Sequence, residues 1–93
     1  MTVPTTTWDV TKGLDSKAAI AAYLDAVFED GDPTLIKAAI GDVARSRGMS
    51  DIAAKAGVTR AGLYRALSET GNPSFATVAA VVKALGVRLA VGV

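Results

Sequence analysis

The sequence predicts an all-α fold of five short helices followed by one short β-strand. Apolar residues recur at helical spacing along most of the chain, and a capping residue precedes each such segment. The hydrophobic content is 51%, but much of it is alanine and only 5% of the residues are aromatic, so the helices are expected to pack closely. With 93 residues the chain has room for a single core and therefore for one domain.

The front of the chain predicts an arm and two helices. Residues 1–14 lack a helical period and are rich in threonine, which indicates an extended arm anchored by Trp8. Asp15 or Ser16 is expected to cap a first helix that ends near Glu29. A second helix is expected to start at the Asp32–Pro33 pair, because proline is favoured at the first helical position, and to run to Arg47. Its buried stripe is Ile36, Ile40 and Val43.

Three further helices are expected to complete the helical domain, which spans residues 15–86. Ser50 is predicted to cap a helix ending at Ala56, and Thr59 to cap another that ends near Ser68. The segment TGNPS is a turn by composition, and Ser74 then caps the last helix. The residues expected on the buried side of that helix are Phe75, Val78, Val82 and Leu85.

Residues 87–93 predict the single strand. From Val87 to Val91, apolar residues alternate with Arg88 and Ala90, which is the period of a β-strand. A strand needs a partner for its backbone hydrogen bonds. Three partners are open: the N-terminal arm, a second copy of the chain, or another protein.

The segment SDIAAKAGVTRAGLYRAL, residues 50–67, predicts a helix-turn-helix that ends at Ser68. Gly57 is placed where the turn between two helices calls for a positive φ angle, which glycine adopts without strain. Ala53 is small where the helices would cross, and Leu63 and Leu67 would face the core. Gly62 lies within the second helix at a cost of about 1 kcal/mol relative to alanine. A close helix crossing is the expected reason.

Charge and composition limit the classes of function. Residues 1–33 carry two cations and six carboxylates, a net charge of −4, whereas residues 34–93 have a net charge of +5. A basic rear half is typical of nucleic-acid binding, although a solvated helix surface gives the same count. The chain has no histidine and no cysteine, so an enzyme, a metal site or a cofactor is not expected. The N-terminus lacks a secretion signal and no apolar run could span a bilayer, which favours a soluble cytoplasmic protein without a membrane partner.

The helix-turn-helix resembles that of phage repressors and Cro-like regulators, and the five helices fit the lambda-repressor-like fold. From GDPTLIKAAIGDVARSRGM through TRAGLYRALSETGNPSF to VVKALGVRL, the chain is similar to small HigA-like antitoxins, the addiction-module antidote proteins. The segment from Arg60 to Phe75 is the most specific part. The resemblance implies an antitoxin that silences a RelE- or HigB-like messenger-RNA endonuclease encoded beside it. It also implies repression of their shared promoter by binding its double-stranded operator DNA.

In this fold the second helix of the motif lies in the major groove, with its N-terminal residues near base edges. Arg60 is the candidate for base recognition, because a guanidinium can bind guanine in a bidentate contact worth about 1 to 3 kcal/mol of discrimination. A solvated arginine is the alternative. Ser50, at a predicted helix start, can hold a backbone phosphate. The predicted DNA-binding residues are Ser50, Thr59, Arg60, Ala61, Tyr64, Arg65 and Asn72.

The other residues of this set have structural interpretations beside the functional ones. Thr59 is first a helix cap, and a phosphate contact is its second role. Ala61 can meet a thymine methyl group, or it is merely small. Of Tyr64 and Arg65, one is expected to pack and the other to reach DNA, with Arg65 favoured. Asn72 belongs to a turn, and its place in the family suggests that it flanks the DNA backbone.

One helix-turn-helix contacts too few base pairs for useful specificity, so a homodimer reading two half-sites is expected. The last helix and the predicted strand are candidates for the dimer interface, and the strand can alternatively extend the sheet of a toxin. Two other functions remain open: a free-standing Cro-like repressor without a toxin, and a protein inhibitor that no longer binds DNA. The acidic residues before Pro33, among them Asp25 and Glu29, are candidates for contact with a basic toxin.

Overall fold

Five α-helices joined by short connections make up the part of the chain that the computed structural model describes, residues 16–92. Helix α1 spans Lys17–Asp30, α2 Pro33–Arg47, α3 Met49–Ala56, α4 Arg60–Ala66 and α5 Phe75–Ala84. Helices α1 and α2 pack against each other, and α3 packs against α2, α4 and α5. The predicted all-α class is confirmed, whereas the lambda-repressor-like topology stays a prediction.

Four predicted capping residues do start helices. Ser16, Asp32, Thr59 and Ser74 each accept a hydrogen bond from a backbone amide two or three residues further on, at donor–acceptor distances of 2.9 to 3.1 Å. Such a bond satisfies one of the amides that a helix leaves without an internal partner, and each is worth about 1 kcal/mol. These four helix starts were therefore readable from the local sequence.

The core lies where α2, α3 and α5 meet and is closed by one face of α1 and one of α4. Apart from Met49 its side chains are small or branched, as the alanine-rich composition predicts, and the buried set includes both leucines expected to anchor α4. The buried hydrophobic residues are Ile20, Leu24, Ala39, Ile40, Val43, Ala44, Met49, Ile52, Ala53, Leu63, Leu67, Val81, Val82 and Leu85.

The start of α3 corrects one prediction. Ser50 is not its cap, because the helix already begins at Met49 and the first helical hydrogen bond runs from the amide of Ile52 to the carbonyl of Gly48. Met49 is 4% exposed, so its burial in the core draws the chain into the helix two residues earlier than a cap at Ser50 would. Gly48 occupies the cap position with no side-chain hydrogen bond.

The buried stripe of α5 corrects another. Phe75 is 75% exposed although it has the spacing of the core residues, and Val81 is fully buried instead. Burial increases along α5 from its first turn to Leu85, so the stripe extends past the edge of the core at its N-terminal end. Periodicity identified the face of the helix but not where along that face the core stops.

The predicted C-terminal strand is not found in the described part of the tail. Residues 87–92 have no regular secondary structure. A strand is defined by hydrogen bonds to a neighbour, and residues 16–92 provide none. The predicted arm over residues 1–14, with Trp8, and the possible cap Asp15 lie outside the described residues. Among the helices of residues 16–92, none has the length and hydrophobicity needed to cross a membrane.

Candidate nucleic-acid interface

The connection between α3 and α4 consists of Gly57, Val58 and Thr59. Gly57 has φ 77° and ψ 27°, the left-handed conformation that a residue with a side chain adopts only with strain. The amide of Val58 bonds to the carbonyl of Ala53 at 3.0 Å, which closes the end of α3 in a Schellman arrangement. The glycine predicted to separate the two helices therefore has the backbone geometry that this role requires.

Helix α4 starts at the cap Thr59 and presents two different faces. Its inner face inserts Leu63 into the core, followed by Leu67 immediately after the helix. The predicted site residues form the outer face, and all of them are exposed: Arg60, Ala61, Tyr64 and Arg65. The prediction that either Tyr64 or Arg65 packs inside is wrong, because neither is buried.

Arg60 and Tyr64 lie one turn apart on this outer face and contact each other. The guanidinium carbon of Arg60 is 5.3 Å from the centre of the Tyr64 ring, a cation–π contact. Because Tyr64 is itself 40% exposed, the pair remains accessible from outside. The ring reduces the number of directions in which the arginine can extend, so Arg60 is partly ordered before it meets a ligand.

Gly62 has a different role from the one the sequence suggested. A Cβ atom at this position would lie 2.8 Å from Oγ1 of Thr59, and no atom of another helix comes within 4 Å of it. The same Oγ1 accepts the hydrogen bond of the Gly62 amide at 2.9 Å. Gly62 therefore makes room for the cap of its own helix, and the expected close helix crossing is not present.

The loop after α4 carries the predicted site residue Asn72, and Lys37 of α2 holds that loop. The Lys37 Nζ atom donates hydrogen bonds to the carbonyl of Glu69 at 2.9 Å and to that of Gly71 at 2.7 Å. Gly71 is held so closely against α4 that an added Cβ would lie 2.2 Å from the carbonyl oxygen of Arg65. Asn72 is exposed immediately after these contacts.

Lys37 and Gly71 are positioning residues that the sequence did not reveal. Lys37 lies next to the buried stripe of α2, where a lysine is ordinarily a solvated residue with its stem along the surface. Its partners are 32 and 34 residues away in the chain, and they are backbone carbonyls without any identifying side chain. Only the TGNPS turn signal marked this loop in the sequence.

Ser50 lies at the N-terminal end of the motif, as the exposed second residue of α3. By helix geometry the amides of the first turn of α3 have no acceptor within the helix. Nearby, the Lys55 Nζ atom lies 3.1 Å from a carboxylate oxygen of Asp51, an exposed ion pair one turn apart. The structure therefore exposes all seven predicted site residues on α3, on α4 and in the two loops that flank α4.

A family model described as "Probable addiction module antidote protein" matches residues 4–93. The chain belongs to this family. A Haemophilus influenzae strain Rd protein, described as an uncharacterized protein, is 49% identical over 84 residues, which is 90% of this chain and 87% of the relative. No solved structure matches the chain significantly.

Membership of the antidote family confirms the broader part of the resemblance seen in the sequence. The match covers the acidic first helix as well as α3, α4 and the tail, so the whole described chain belongs to one family unit. The narrower assignments, to the HigA-like branch and to the helix-turn-helix regulators, remain predictions.

Proposed function

We propose that this antidote binds and neutralises a cognate RelE- or HigB-like messenger-RNA endonuclease and represses the promoter that the two genes share. The observation that carries the DNA-binding half is the outer face of α4, where Arg60, Ala61, Tyr64 and Arg65 are all exposed while Leu63 fixes the helix to the core. Family membership supports the toxin-binding half. Both activities belong in the cytoplasm, where we place the protein.

In the proposed complex α4 enters the major groove and Arg60 recognises a guanine. A bidentate contact of this kind contributes about 1 to 3 kcal/mol of discrimination against other bases. The Tyr64 ring beneath the guanidinium supports this role, because an arginine that is already restricted loses less entropy on binding. Arg65, Thr59, Ser50 and Asn72 contact the phosphate backbone, which sets the register of the helix without reading sequence.

The proposed DNA-binding form is a homodimer. Two copies would place their α4 helices in successive major grooves about 34 Å apart, as in other dimeric regulators of this kind. The tail from Val87 to Val91 is one candidate for the dimer contact. Its alternating sequence and its exposed Leu89 and Val91 suit pairing with the same segment of a second copy.

The test of the DNA-binding half is fluorescence anisotropy with a labelled fragment of the protein's own promoter and an unrelated fragment of equal length. Arg60→Ala is expected to weaken promoter binding about 5- to 150-fold, equivalent to 1 to 3 kcal/mol, and to change binding to the unrelated fragment much less. Lys83→Ala is the matched control, because it removes one exposed cation from α5. Equal effects of the two substitutions on promoter binding would reduce the role of Arg60 to general charge.

The second candidate is a free-standing Cro-like repressor, which the exposed face of α4 would serve equally well without any toxin. The neighbouring gene separates the two functions. We expect expression of an adjacent small basic protein to arrest growth and co-expression of this chain to restore it. Growth arrest that co-expression of this chain fails to relieve would leave the free-standing repressor as the remaining candidate of the two. Failure of the promoter fragment to bind, with and without that neighbour, would instead leave a protein inhibitor.

A further inference from the structure

A solvent-open groove runs between α1 and α2 and has a volume of about 470 Å³. The groove, called the α1–α2 groove below, is lined by Tyr23, Val27 and Asp30 of α1 and by Leu35 and Asp42 of α2, with alanines between them. None of these residues belongs to α3, α4 or the loop after α4. The groove therefore shares no residue with the proposed DNA-binding face.

The floor of the groove is apolar and partly unpacked. Leu35 is 50% exposed, one of the few large apolar side chains of the described residues with so much surface in water. Tyr23 and Val27 beside it are half-buried. Alanines along both helices keep the groove wide enough to admit the side chains of a partner helix or strand.

The rim of the groove is acidic. Asp30 lies at the end of α1 and Asp42 midway along α2, and none of the groove-lining residues is a cation. Asp42 forms an ion pair with Arg45, whereas Asp30 has no ion pair within residues 16–92. Glu29 and Asp32, both exposed, add negative charge near the same end of α1. An apolar floor with a negative rim complements an amphipathic segment that carries cations at its edges.

We propose that the α1–α2 groove is the toxin-docking surface, an inference that rests on the proposed antidote function. The apolar side chains of a toxin segment contact Leu35, Val27 and Tyr23, and its cations approach Asp30 and Asp42. A toxin that cleaves messenger RNA must bind a polyanion, so its surface is basic and attracted to this rim. The groove and the α4 face share no residue, so docking in the groove uses none of the residues proposed to contact DNA.

The proposal is tested with the full chain and the purified product of the adjacent reading frame, using binding kinetics at two salt concentrations. Leu35→Ser is expected to raise the dissociation constant at least tenfold, because it removes the exposed apolar floor. Phe75→Ser is its matched control, since Phe75 is even more exposed but lies outside the groove. The control is expected to bind within twofold of the wild type.

Charge is tested by a second matched pair. Asp30→Lys is expected to slow association at least tenfold at low salt and to flatten the dependence of the association rate on salt. Glu69→Lys makes the same change at another exposed carboxylate, after α4, and is expected to leave association nearly unchanged. Unaltered promoter binding by Leu35→Ser and Asp30→Lys would show that both variants are folded.

The outcomes separate the inference from the function on which it rests. A wild-type chain that does not bind the neighbouring protein overturns both. Wild-type binding that survives Leu35→Ser and Asp30→Lys overturns the groove alone and leaves the antidote function in place. Loss of self-association in Leu35→Ser would show that a second copy of the chain occupies the groove. A shift in the fluorescence emission of Trp8, the single tryptophan, in Leu35→Ser would show that residues 1–15 occupy it. Either result would contradict toxin docking there.

Discussion

Replacing Lys37 with methionine keeps a side chain of similar length and removes only the ammonium group. That group donates to the carbonyls of Glu69 and Gly71 and connects α2 to the loop after α4. Hydrogen bonds to charged groups contribute about 1.5 to 3 kcal/mol each, but both groups here are partly hydrated. We therefore expect Lys37→Met to lower the free energy of unfolding by about 2 kcal/mol in total. For a domain of this size that corresponds to a fall in Tm of roughly 8 to 16 °C.

The same substitution is expected to weaken DNA binding without changing its sequence preference. The loop that Lys37 holds presents Asn72, whose proposed partner is a backbone phosphate, so promoter and unrelated DNA should lose affinity by similar factors. Urea denaturation measures the first effect and anisotropy with the two fragments the second. Lys83→Met is the control, because that exposed lysine of α5 is not bonded to this loop. If Lys37→Met and Lys83→Met unfold at the same urea concentration, the reasoning about the loop is refuted.

Three further predictions concern stability and are measured by urea or thermal unfolding. Thr59→Ala should lower the free energy of unfolding by about 1 kcal/mol. Gly62→Ala should be nearly neutral in the wild type but should stabilise the Thr59→Ala variant by up to about 1 kcal/mol, because the clash with Oγ1 of Thr59 is then absent. Additive effects in this double-mutant cycle would contradict the role given to Gly62. Gly71→Ala should lower the free energy of unfolding by at least about 2 kcal/mol, since the new Cβ meets backbone carbonyls of α4 that cannot move away. An unfolding midpoint equal to that of the wild type would mean that the loop is not held against α4. Burial, with a smaller contribution from Asp42, raises the pKa of Tyr23. Above about pH 10 the tyrosine therefore ionises more readily in the unfolded chain, so the wild type should lose stability as the pH rises and Tyr23→Phe should lose less. Identical stability profiles of the two proteins at alkaline pH would argue against this effect of Tyr23.

The correct sequence predictions depend on short-range chemistry. Asp32 with Pro33, Thr59 and Ser74 fix helix starts because a capping side chain reaches an amide only two or three residues away. Gly57 ends α3 because only glycine adopts its backbone conformation without strain. In each case the interacting atoms are neighbours in the chain, so the residue type is enough.

The site residues were predictable for a similar reason. Exposure of Arg60, Ala61, Tyr64 and Arg65 follows from the position of Leu63, because one buried leucine determines which faces of a short helix are left outside. The contact between Arg60 and Tyr64 was predictable from their spacing of four residues, which places them on one face of the helix. The sequence had instead suggested that one of Tyr64 and Arg65 would pack.

Several features were decided only by the tertiary structure. Ser50 lost its role as a cap because Met49 is buried by other helices, and Phe75 is exposed because the core stops before the first turn of α5. Neither limit is encoded locally, since each depends on where other helices lie. The tail from Val87 to Val91 has the alternation of a strand but no neighbour among residues 16–92, and alternation cannot supply one.

The sequence by itself determined the helices, four of their caps, the turn at Gly57 and the composition of the outer face of α4. The tertiary structure decided what those helices hold in place and what they leave open: the bonds from Lys37 to a loop more than 30 residues away, the contact of Gly71 with α4, and the α1–α2 groove. The physical reason is the separation along the chain of the residues that interact. Backbone conformation and capping are settled among neighbouring residues, whereas packing and grooves depend on distances between segments that only the folded chain brings together.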